Sequence, residues 1–99
     1  MLEVSIFLDE DDQYQGKRAD EYIMRYLMHH GIRGASVFPA VMGYGRKHHL
    51  HHTRGLGNVD EGPIMVLFID EEEKVRAVLP HLKELIKDGL IVTKRVDAV

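Results

Sequence analysis

Residues 31–49 read GIRGASVFPAVMGYGRKHH, and this stretch constrains the fold more than any other. An apolar run over residues 35–42 lies between glycines and is followed by Gly-Tyr-Gly at 43–45 and a basic, histidine-rich segment. We predict a β-strand over 35–42 that ends in a glycine turn. Because Pro39 has no backbone N–H to donate, the strand should lie at a sheet edge or carry a bulge.

The glycine turn has the layout of an anion-binding loop. Gly43 and Gly45 lack a Cβ, so amide N–H groups there can approach a phosphate closely. Arg46 and Lys47 follow directly and supply positive charge. Glycines at this spacing also serve turns and bulges that bind nothing. The residues alone leave open both a phosphate-binding role and a purely structural one.

Three further strands are predicted from hydrophobic patterning. Residues 2–8 alternate apolar and polar side chains with period two, which is typical of a strand with one buried face. Residues 63–69 are apolar without alternation, which indicates a strand buried on both faces. Residues 90–96 supply a fourth, partly exposed strand. The glycine-rich residues 43–62 lack periodicity and are predicted to form a long loop.

Two helices are predicted between these strands. Apolar residues recur at helical spacing from Ala19 to His30, and Gly31 is a natural residue to end that helix. In the second helix an apolar stripe runs over residues 75–86, with Asp70 and Glu73 as a capping-box-like pair. Pro80 should kink this helix, and the Asp-Gly pair at 88–89 should end it.

The element order is therefore βαββαβ, which predicts an α+β ferredoxin-like plait formed by residues 1–99 as a single domain. Two helices would cover one face of a four-stranded antiparallel sheet. The 63–69 and 35–42 strands also offer apolar side chains to the second face, which the helices cannot reach. Because burying one Leu or Phe is worth ~1.5–3 kcal/mol, we predict a homo-oligomer.

The composition excludes several classes of protein. The chain has 99 residues, 44% hydrophobic and 29% charged, with a formal net charge of −3, so it is typical of a globular protein and argues against nucleic-acid binding by the whole surface. It has no apolar run of ~20 residues and no basic leader, so we predict no membrane insertion and a cytoplasmic location. With no cysteine, no G-x-S-x-G and no H-E-x-x-H, we predict that it is not an enzyme.

Histidines form a second candidate site, because four of them lie within residues 48–52. In an extended segment, His49 and His51 point to one side and His48 and His52 to the other, so each pair could chelate a divalent metal. A tight zinc site needs about four ligands, so a neighbouring subunit or acidic residues 60–61 would have to contribute. The alternative is that these histidines are solvated and act as pH-dependent charge.

Acidic runs at 9–12 and 70–73 follow predicted strands. We expect them to complement the positive N-termini of the two helices, with a carboxylate metal cluster as the alternative. His29 and His30 lie where the first helix ends, and we expect them to cap its last carbonyl groups.

The residues around the glycine turn resemble a known family. Gly31-Ile32-Arg33-Gly34, Val37, Val41 and then Gly43-Tyr44-Gly45-Arg46-Lys47 are similar to the second-strand region of PII signal-transduction proteins. The element order along the whole chain is similar as well. The chain looks most like the short branch of PII-like proteins known as a domain of unknown function, related to PII and to CutA-like proteins.

This resemblance implies a trimer packed through its sheets, with an adenine nucleotide bound in a cleft between subunits. The nucleotide-binding residues it suggests are Gly43, Tyr44, Gly45, Arg46, Lys47 and Gly89. Lys47 stands where the signalling branch has a glutamine that helps to hold magnesium and 2-oxoglutarate, so we do not expect 2-oxoglutarate sensing. The second phosphate loop is reduced to residues 87–89 and the basic C-terminal tail is missing, which suggests a monophosphate or a weakly held ligand.

The resemblance also suggests that residues 46–62 contact an unidentified protein partner, such as a membrane transporter or an enzyme. The loop residues concerned are His48, His49, His51, His52 and Arg54. The alternative function is a CutA-like metal-binding trimer that uses His49 and His51. A third alternative is a structural oligomer whose loop only binds a partner.

Overall fold

The computed structural model describes residues 1–46, 48–52 and 62–99. In chain order, its elements are β1 (Leu2–Asp9), β2 (Gln13–Tyr14), β3 (Lys17–Arg18), α1 (Ala19–His29), β4 (Ala35–Pro39), β5 (Met42–Gly43), β6 (His51–His52), β7 (Pro63–Asp70), α2 (Glu72–Leu85) and β8 (Leu90–Arg95). The long elements follow the predicted βαββαβ order.

The four long strands form one antiparallel sheet in the order β4-β7-β1-β8. The central strands are β1 and β7, the first and third of the four long strands along the chain, as in a ferredoxin-like plait. The predicted fold is therefore confirmed. β4 lies at an edge of the sheet, where the missing donor of Pro39 costs no ladder hydrogen bond.

The core lies between the sheet and the two helices. Val4 and Ile6 of β1 are fully buried, as the alternation of that strand predicts, and Val66 of β7 lies beside Ile6 in the ladder. α1 contributes Ile23 and α2 contributes Leu82, both with no exposed surface. Each such side chain stabilises the fold by ~1.5–3 kcal/mol, so this face of the sheet accounts for most of the apolar burial within one chain.

The opposite face of the sheet, here called the open face, is only partly covered by the described residues of one chain. One row of paired residues crosses all four strands of this face: Phe38, Met65, Phe7 and Leu90. Phe38, Phe7 and Leu90 are 47%, 44% and 59% exposed. The predicted burial of both faces of the 63–69 strand is not met within a single chain, because Met65 and Leu67 on its second face are only half-buried and Ile69 is exposed.

The end of α1 follows the prediction. The Nδ1 atoms of His29 and His30 lie 2.9 Å from the backbone oxygens of Arg25 and Tyr26, which are among the last carbonyls of the helix. Gly31 has φ +78°, the left-handed conformation that commonly follows a helix.

The start of α2 differs from the prediction, because Asp70 does not cap it. The N-cap is Glu71 and makes no side-chain capping bond. Asp70 is fully buried and accepts the Arg33 amide at 2.9 Å, the Glu71 amide at 2.7 Å and the Arg33 guanidinium at 3.1 Å. Its carboxylate thus ties the residues 31–34 turn to the end of β7. α2 continues through Pro80 to Leu85.

Hydrogen bonding outweighs desolvation at this carboxylate. Burial alone would raise the pKa of Asp70, but the two amides and the guanidinium of Arg33 lower that pKa to about 2. The same turn carries the Gly-Ile-Arg-Gly sequence that resembles PII proteins. Arg33 therefore has a structural partner in this chain.

The acidic run at 9–12 does not lead into a helix. A hairpin of β2 and β3 intervenes, and its two-residue turn places Gln15 and Gly16 at φ 51° and 78°, as in a type I′ turn. Acidic residues in the first turn of α1 are instead Asp20 and Glu21. The expectation of helix complementation by the 9–12 run is therefore wrong, whereas Glu72 and Glu73 of the second run do lie in the first turn of α2.

The strand predicted over 35–42 is interrupted. β4 ends at Pro39, and β5 pairs instead with β6, so that Met42 lies opposite His52 and Gly43 opposite His51. The predicted 43–62 loop thus contains a short strand pair. Lys47 and residues 53–61, among them Arg54, lie outside the described residues.

No helix within the described ranges has the length and hydropathy that a membrane span requires.

Candidate functional site

A cleft of about 250 Å³ lies at one end of the sheet, where three segments of the chain meet. The end of β1, the start of β7 and the start of β8 are neighbours there because the strands are antiparallel. Residues 44–46, which follow β5, lie at the same end of the sheet. The lining comprises Phe7, Leu8, Asp9, Tyr44, Gly45, Arg46, Pro63, Ile64, Asp88, Gly89 and Leu90.

Four of the predicted nucleotide-binding residues are therefore brought together: Tyr44, Gly45, Arg46 and Gly89. Gly43 does not line the cleft, and a Cβ there would meet the side chains of Pro63 and Ala40. Lys47 lies outside the described residues. The glycines of two segments far apart in sequence thus meet beside one arginine.

A tight turn follows Arg46. The Gly45 carbonyl accepts the His48 amide at 2.9 Å, and His48 has φ 53°, which is uncommon for a residue with a side chain. The Tyr44 side chain is 65% exposed, and its ring lies 6.0 Å from that of His48. The bond and the ring contact bring His48 close to Tyr44 and Gly45, which line the cleft.

Arg46 is held by two carboxylates. Its guanidinium bonds both oxygens of Asp12, with Nη1 3.2 Å from Oδ2, and Nη1 lies 3.4 Å from Asp9 Oδ2. Nη1 also reaches the backbone oxygen of Asp88 at 3.5 Å. The bond to Asp12 is the main cause that raises the pKa of Arg46. Arg46 therefore joins the residues 43–46 turn, the 9–12 run and the turn before β8.

The carboxylates are themselves positioned by the backbone. Asp12 Oδ2 accepts the Asp9 amide at 3.0 Å, and the Asp12 carbonyl accepts the Ala19 amide at 2.8 Å. Asp9 is 7% exposed. The sequence pattern predicts helix complementation or a carboxylate metal cluster for the 9–12 run, and it does not indicate that Asp9 and Asp12 bind Arg46. The antiparallel order of the predicted plait could have indicated it, because it places the end of the first strand beside the starts of the third and fourth.

Close packing requires glycine at two positions of the cleft. A Cβ on Gly45 would lie 3.2 Å from Asp9 Oδ1. A Cβ on Gly89 would lie 2.4 Å from Ile86 Cγ2 and 2.7 Å from the Phe7 carbonyl oxygen. Gly89 therefore has a packing role, and Gly45 lets the backbone lie close to the Asp9 carboxylate.

The described part of the cleft is more acidic than the glycine-arginine stretch alone indicates. Arg46 contributes one positive charge and Asp9 and Asp88 contribute two negative charges, while Asp12 pairs with Arg46 from outside the lining. An anionic ligand in the cleft would compete with these carboxylates for Arg46.

The histidine segment lies beside the cleft. The rings of His49 and His51 are 4.9 Å apart and tilted by 67°, so the two side chains do meet as predicted. Among the described residues, the set of three donors close enough for one metal ion is Asp9, Asp11 and Asp12, within 4.8 Å of one another, and it includes neither histidine. Two of those three carboxylates neutralise Arg46. The described donors therefore do not make up a four-ligand zinc site.

Comparison with solved structures shows the PII-like fold. CPII from Thiomonas intermedia K12, a nitrogen regulatory PII-like protein bound to ADP, AMP and bicarbonate, superposes with a TM-score of 0.72 at 18% identity, over 98% of this chain and 86% of CPII. CutA1 from Pyrococcus horikoshii superposes with a TM-score of 0.63 at 16% identity, over 100% and 86% of the two chains. At these identities the likeness concerns the fold.

Comparison of sequences shows the family. The chain is 35% identical to a UPF0166 protein of Aquifex aeolicus over 99 residues, 95% of this chain and 89% of the relative. It is 34% identical to the UPF0166 protein MJ1524 of Methanocaldococcus jannaschii, over 90% and 82% of the two chains. The DUF190 family model, described as "Uncharacterized ACR, COG1993", matches residues 1–98. The chain therefore belongs to the DUF190 (UPF0166) family, and the resemblance to the PII-like branch is confirmed.

Proposed function

We propose that this protein is a PII-like regulatory module that binds an adenine nucleotide at the cleft formed by residues 7–9, 44–46 and 88–90. The observation that carries the proposal is the convergence of Gly45, Gly89 and Arg46 in that cleft. The two glycine turns border the cleft, and the guanidinium beside them can supply bidentate hydrogen bonds to a phosphate. The fold shared with CPII, which binds ADP and AMP, supports the choice of ligand.

The cleft borders the open face, which connects ligand binding to assembly. Phe7 and Leu90 line the cleft and also belong to the exposed row of the open face. Copies that meet through this row would place a neighbouring subunit at the mouth of the cleft. We therefore propose a homotrimer, as the PII resemblance implies, in which the nucleotide site is completed between subunits.

The charge of the cleft suggests weak binding. Asp9 and Asp12 pair with Arg46, and Asp88 also lines the cleft, so each added phosphate charge meets repulsion as well as attraction. This agrees with the shortened second phosphate loop at residues 87–89. AMP and ADP are therefore the ligands that we propose, bound by a regulatory protein in the cytoplasm that contacts a protein partner through residues 46–62 and catalyses no reaction.

Calorimetric titration with AMP, ADP and ATP at low salt tests nucleotide binding. We expect saturable binding that Arg46→Gln weakens about tenfold, which corresponds to the loss of one charge-assisted contact of about 1.4 kcal/mol. Arg25→Gln is the matched control, because Arg25 forms an exposed pair with Glu21 on α1 and lies outside the cleft. Equal weakening by both variants, or no saturable heat with any nucleotide, would refute the proposal.

Sedimentation of Phe7→Glu tests assembly through the open face. A carboxylate in the apolar row should dissociate the oligomer, because each copy loses the burial of a Phe worth ~1.5–3 kcal/mol and buries a charge instead. Met28→Glu is the control, since Met28 is 66% exposed on α1. A wild-type monomer at micromolar concentration would contradict the trimer.

Metal binding is the second candidate function, favoured by the contact between the His49 and His51 rings. Metal analysis of untagged protein that has not met a nickel column tests it. The expected result is a bound divalent metal that the double variant His49→Gln/His51→Gln loses and His29→Gln/His30→Gln retains. Absence of metal, together with a melting temperature unchanged by zinc or copper, would exclude this function.

A further inference from the structure

We propose that Asp12 is an internal competitor for Arg46, so that a bound phosphate displaces Asp12 from the guanidinium and releases the turn that the Gly45 carbonyl and the His48 amide close. This inference rests on the proposed nucleotide binding and concerns the regulation of that same site. Arg46 lines the cleft together with Gly45 and Gly89, whereas Asp12 lies outside that lining and bonds both Nη atoms of the guanidinium, the same donors that a phosphate in the cleft would bind.

The contact has the properties of an exchangeable ion pair. The Arg46 and Asp12 side chains are 37% and 21% exposed, so solvent and ligands can reach both partners. Exposed pairs of this kind contribute about 0.2–1 kcal/mol, which a phosphate with its stronger bidentate bond can outweigh. Displacement leaves Asp12 with the Asp9 amide, so its carboxylate keeps a hydrogen-bond partner.

The contact also holds the start of the segment that we propose as the partner-binding loop. Arg46 lies inside the turn closed by the Gly45 carbonyl and the His48 amide, and it joins this turn to Asp12 and to the Asp88 carbonyl. When the guanidinium turns to a phosphate, the bond to Asp12 is lost. Ligand binding is then coupled to the turn that the Gly45 carbonyl and the His48 amide close. The coupling arises because the ligand binds the state without the Arg46–Asp12 bond better than the state with it.

Competition predicts that removal of the competing charge tightens binding. We expect Asp12→Asn to bind ADP about three- to tenfold more tightly than the wild type, the effect of freeing an ion pair of up to about 1 kcal/mol and removing a repulsive charge. Glu10→Gln is the matched control. It changes the net charge equally and belongs to the same acidic run, but Glu10 pairs with Arg18 rather than with Arg46.

A double-mutant cycle separates competition from simple repulsion of the ligand. In the Arg46→Gln background, the gain from Asp12→Asn should fall to that of Glu10→Gln, because no guanidinium remains to be freed. A gain that persists undiminished in that background would overturn the competition. Equal affinities of Asp12→Asn and Glu10→Gln for ADP would also contradict the competition, although the proposal of nucleotide binding would remain.

Hydrogen exchange of the His48 amide without nucleotide gives a second, ligand-independent measurement. Loss of the bond to Asp12 should speed exchange at this amide about fivefold in Asp12→Asn, and not in Glu10→Gln. If exchange of the His48 amide is unchanged in Asp12→Asn, the Arg46–Asp12 bond does not hold the turn, and the proposal is wrong even where ADP binds. If ADP binds neither the wild type nor Asp12→Asn, the nucleotide proposal fails and the competition fails with it. Should Asp12→Asn not unfold cooperatively, Asp9→Asn carries the same test with a smaller expected gain.

Discussion

Two arginine–aspartate clusters lie at opposite ends of the sheet and differ in how the carboxylate is satisfied. Asp70, at the end of β7, is fully buried and accepts two backbone amides as well as Arg33. Asp12, beyond the end of β1, is partly exposed and gives both oxygens to Arg46. The first cluster has few alternatives to its present bonds, whereas we propose that the second exchanges one partner for a ligand. Asp70 therefore stabilises the fold, and regulation is the proposed role of Asp12.

The largest expected difference between the clusters is in stability. Asp70→Ala leaves the buried amides of Arg33 and Glu71 without an acceptor, so we expect the free energy of unfolding to fall by about 3 kcal/mol. Asp12→Ala should cost less than about 1 kcal/mol, as for an exposed ion pair. Urea unfolding at one fixed protein concentration measures both. Similar losses in the two variants would remove the distinction.

This contrast also shows how far the sequence could predict the fold and the site. The period-two pattern of β1 and the position of Pro39 give the core face and the sheet edge, because both depend only on local geometry. The roles of Asp9, Asp12 and Asp70 depend on partners 34 to 37 residues away along the chain. A carboxylate after a strand reads equally well as a helix cap, and only the register of the sheet decides which basic residue it meets.

The candidate site has the same limit, because its contacts also join residues that are far apart along the chain. Gly45, Arg46 and Gly89 were identified from a short motif and a family resemblance, and they do meet in one cleft. The neutralisation of Arg46 by the 9–12 run could not be read from the motif, because it arises where strand ends are brought together. The sequence predicts an excess of apolar residues in the 35–42 and 63–69 strands, among them Phe38 and Met65, but not the register that aligns these two with Phe7 and Leu90.

Acid should weaken the Asp70 cluster in a defined pH range. Its pKa in the folded protein, about 2, lies below the ordinary value of 3.8, so the stabilisation is complete above about pH 4 and is lost as the pH falls towards 2. The expected loss from Asp70 is about 2 kcal/mol, the equivalent of its shift in pKa. Unfolding measured between pH 5 and 2 should show this component in the wild type but not in Asp70→Asn.

Glu72 provides the control for the acid experiment. Hydrogen bonds from Arg95 and Arg76 lower the pKa of Glu72 to about 2, so it titrates in the same range. This carboxylate is on the surface, and Glu72→Gln should leave the Asp70 component in place. If Glu72→Gln removed the acid dependence and Asp70→Asn did not, the assignment of that dependence to the buried cluster would be wrong.

The smallest expected effect concerns the arginines themselves. Arg33→Gln should lower the free energy of unfolding by about 1 kcal/mol, because the Arg33 backbone amide still satisfies Asp70, and Arg46→Gln by about 0.5 kcal/mol. Thermal melting of both variants measures these losses. A larger loss for Arg46→Gln than for Arg33→Gln would show that the Arg46 cluster is the structural one.

Nuclear magnetic resonance of protein labelled with ¹⁵N only in glycine tests the central claim most directly, because the nine glycines of the chain give few and separable amide signals. On addition of ADP, we predict saturable shifts for Gly45 and Gly89, which line the cleft, and unchanged signals for Gly16 and Gly31, which do not. Shifts confined to glycines outside the cleft, or no shift at millimolar ADP and low salt, would contradict the proposal that this cleft binds a nucleotide.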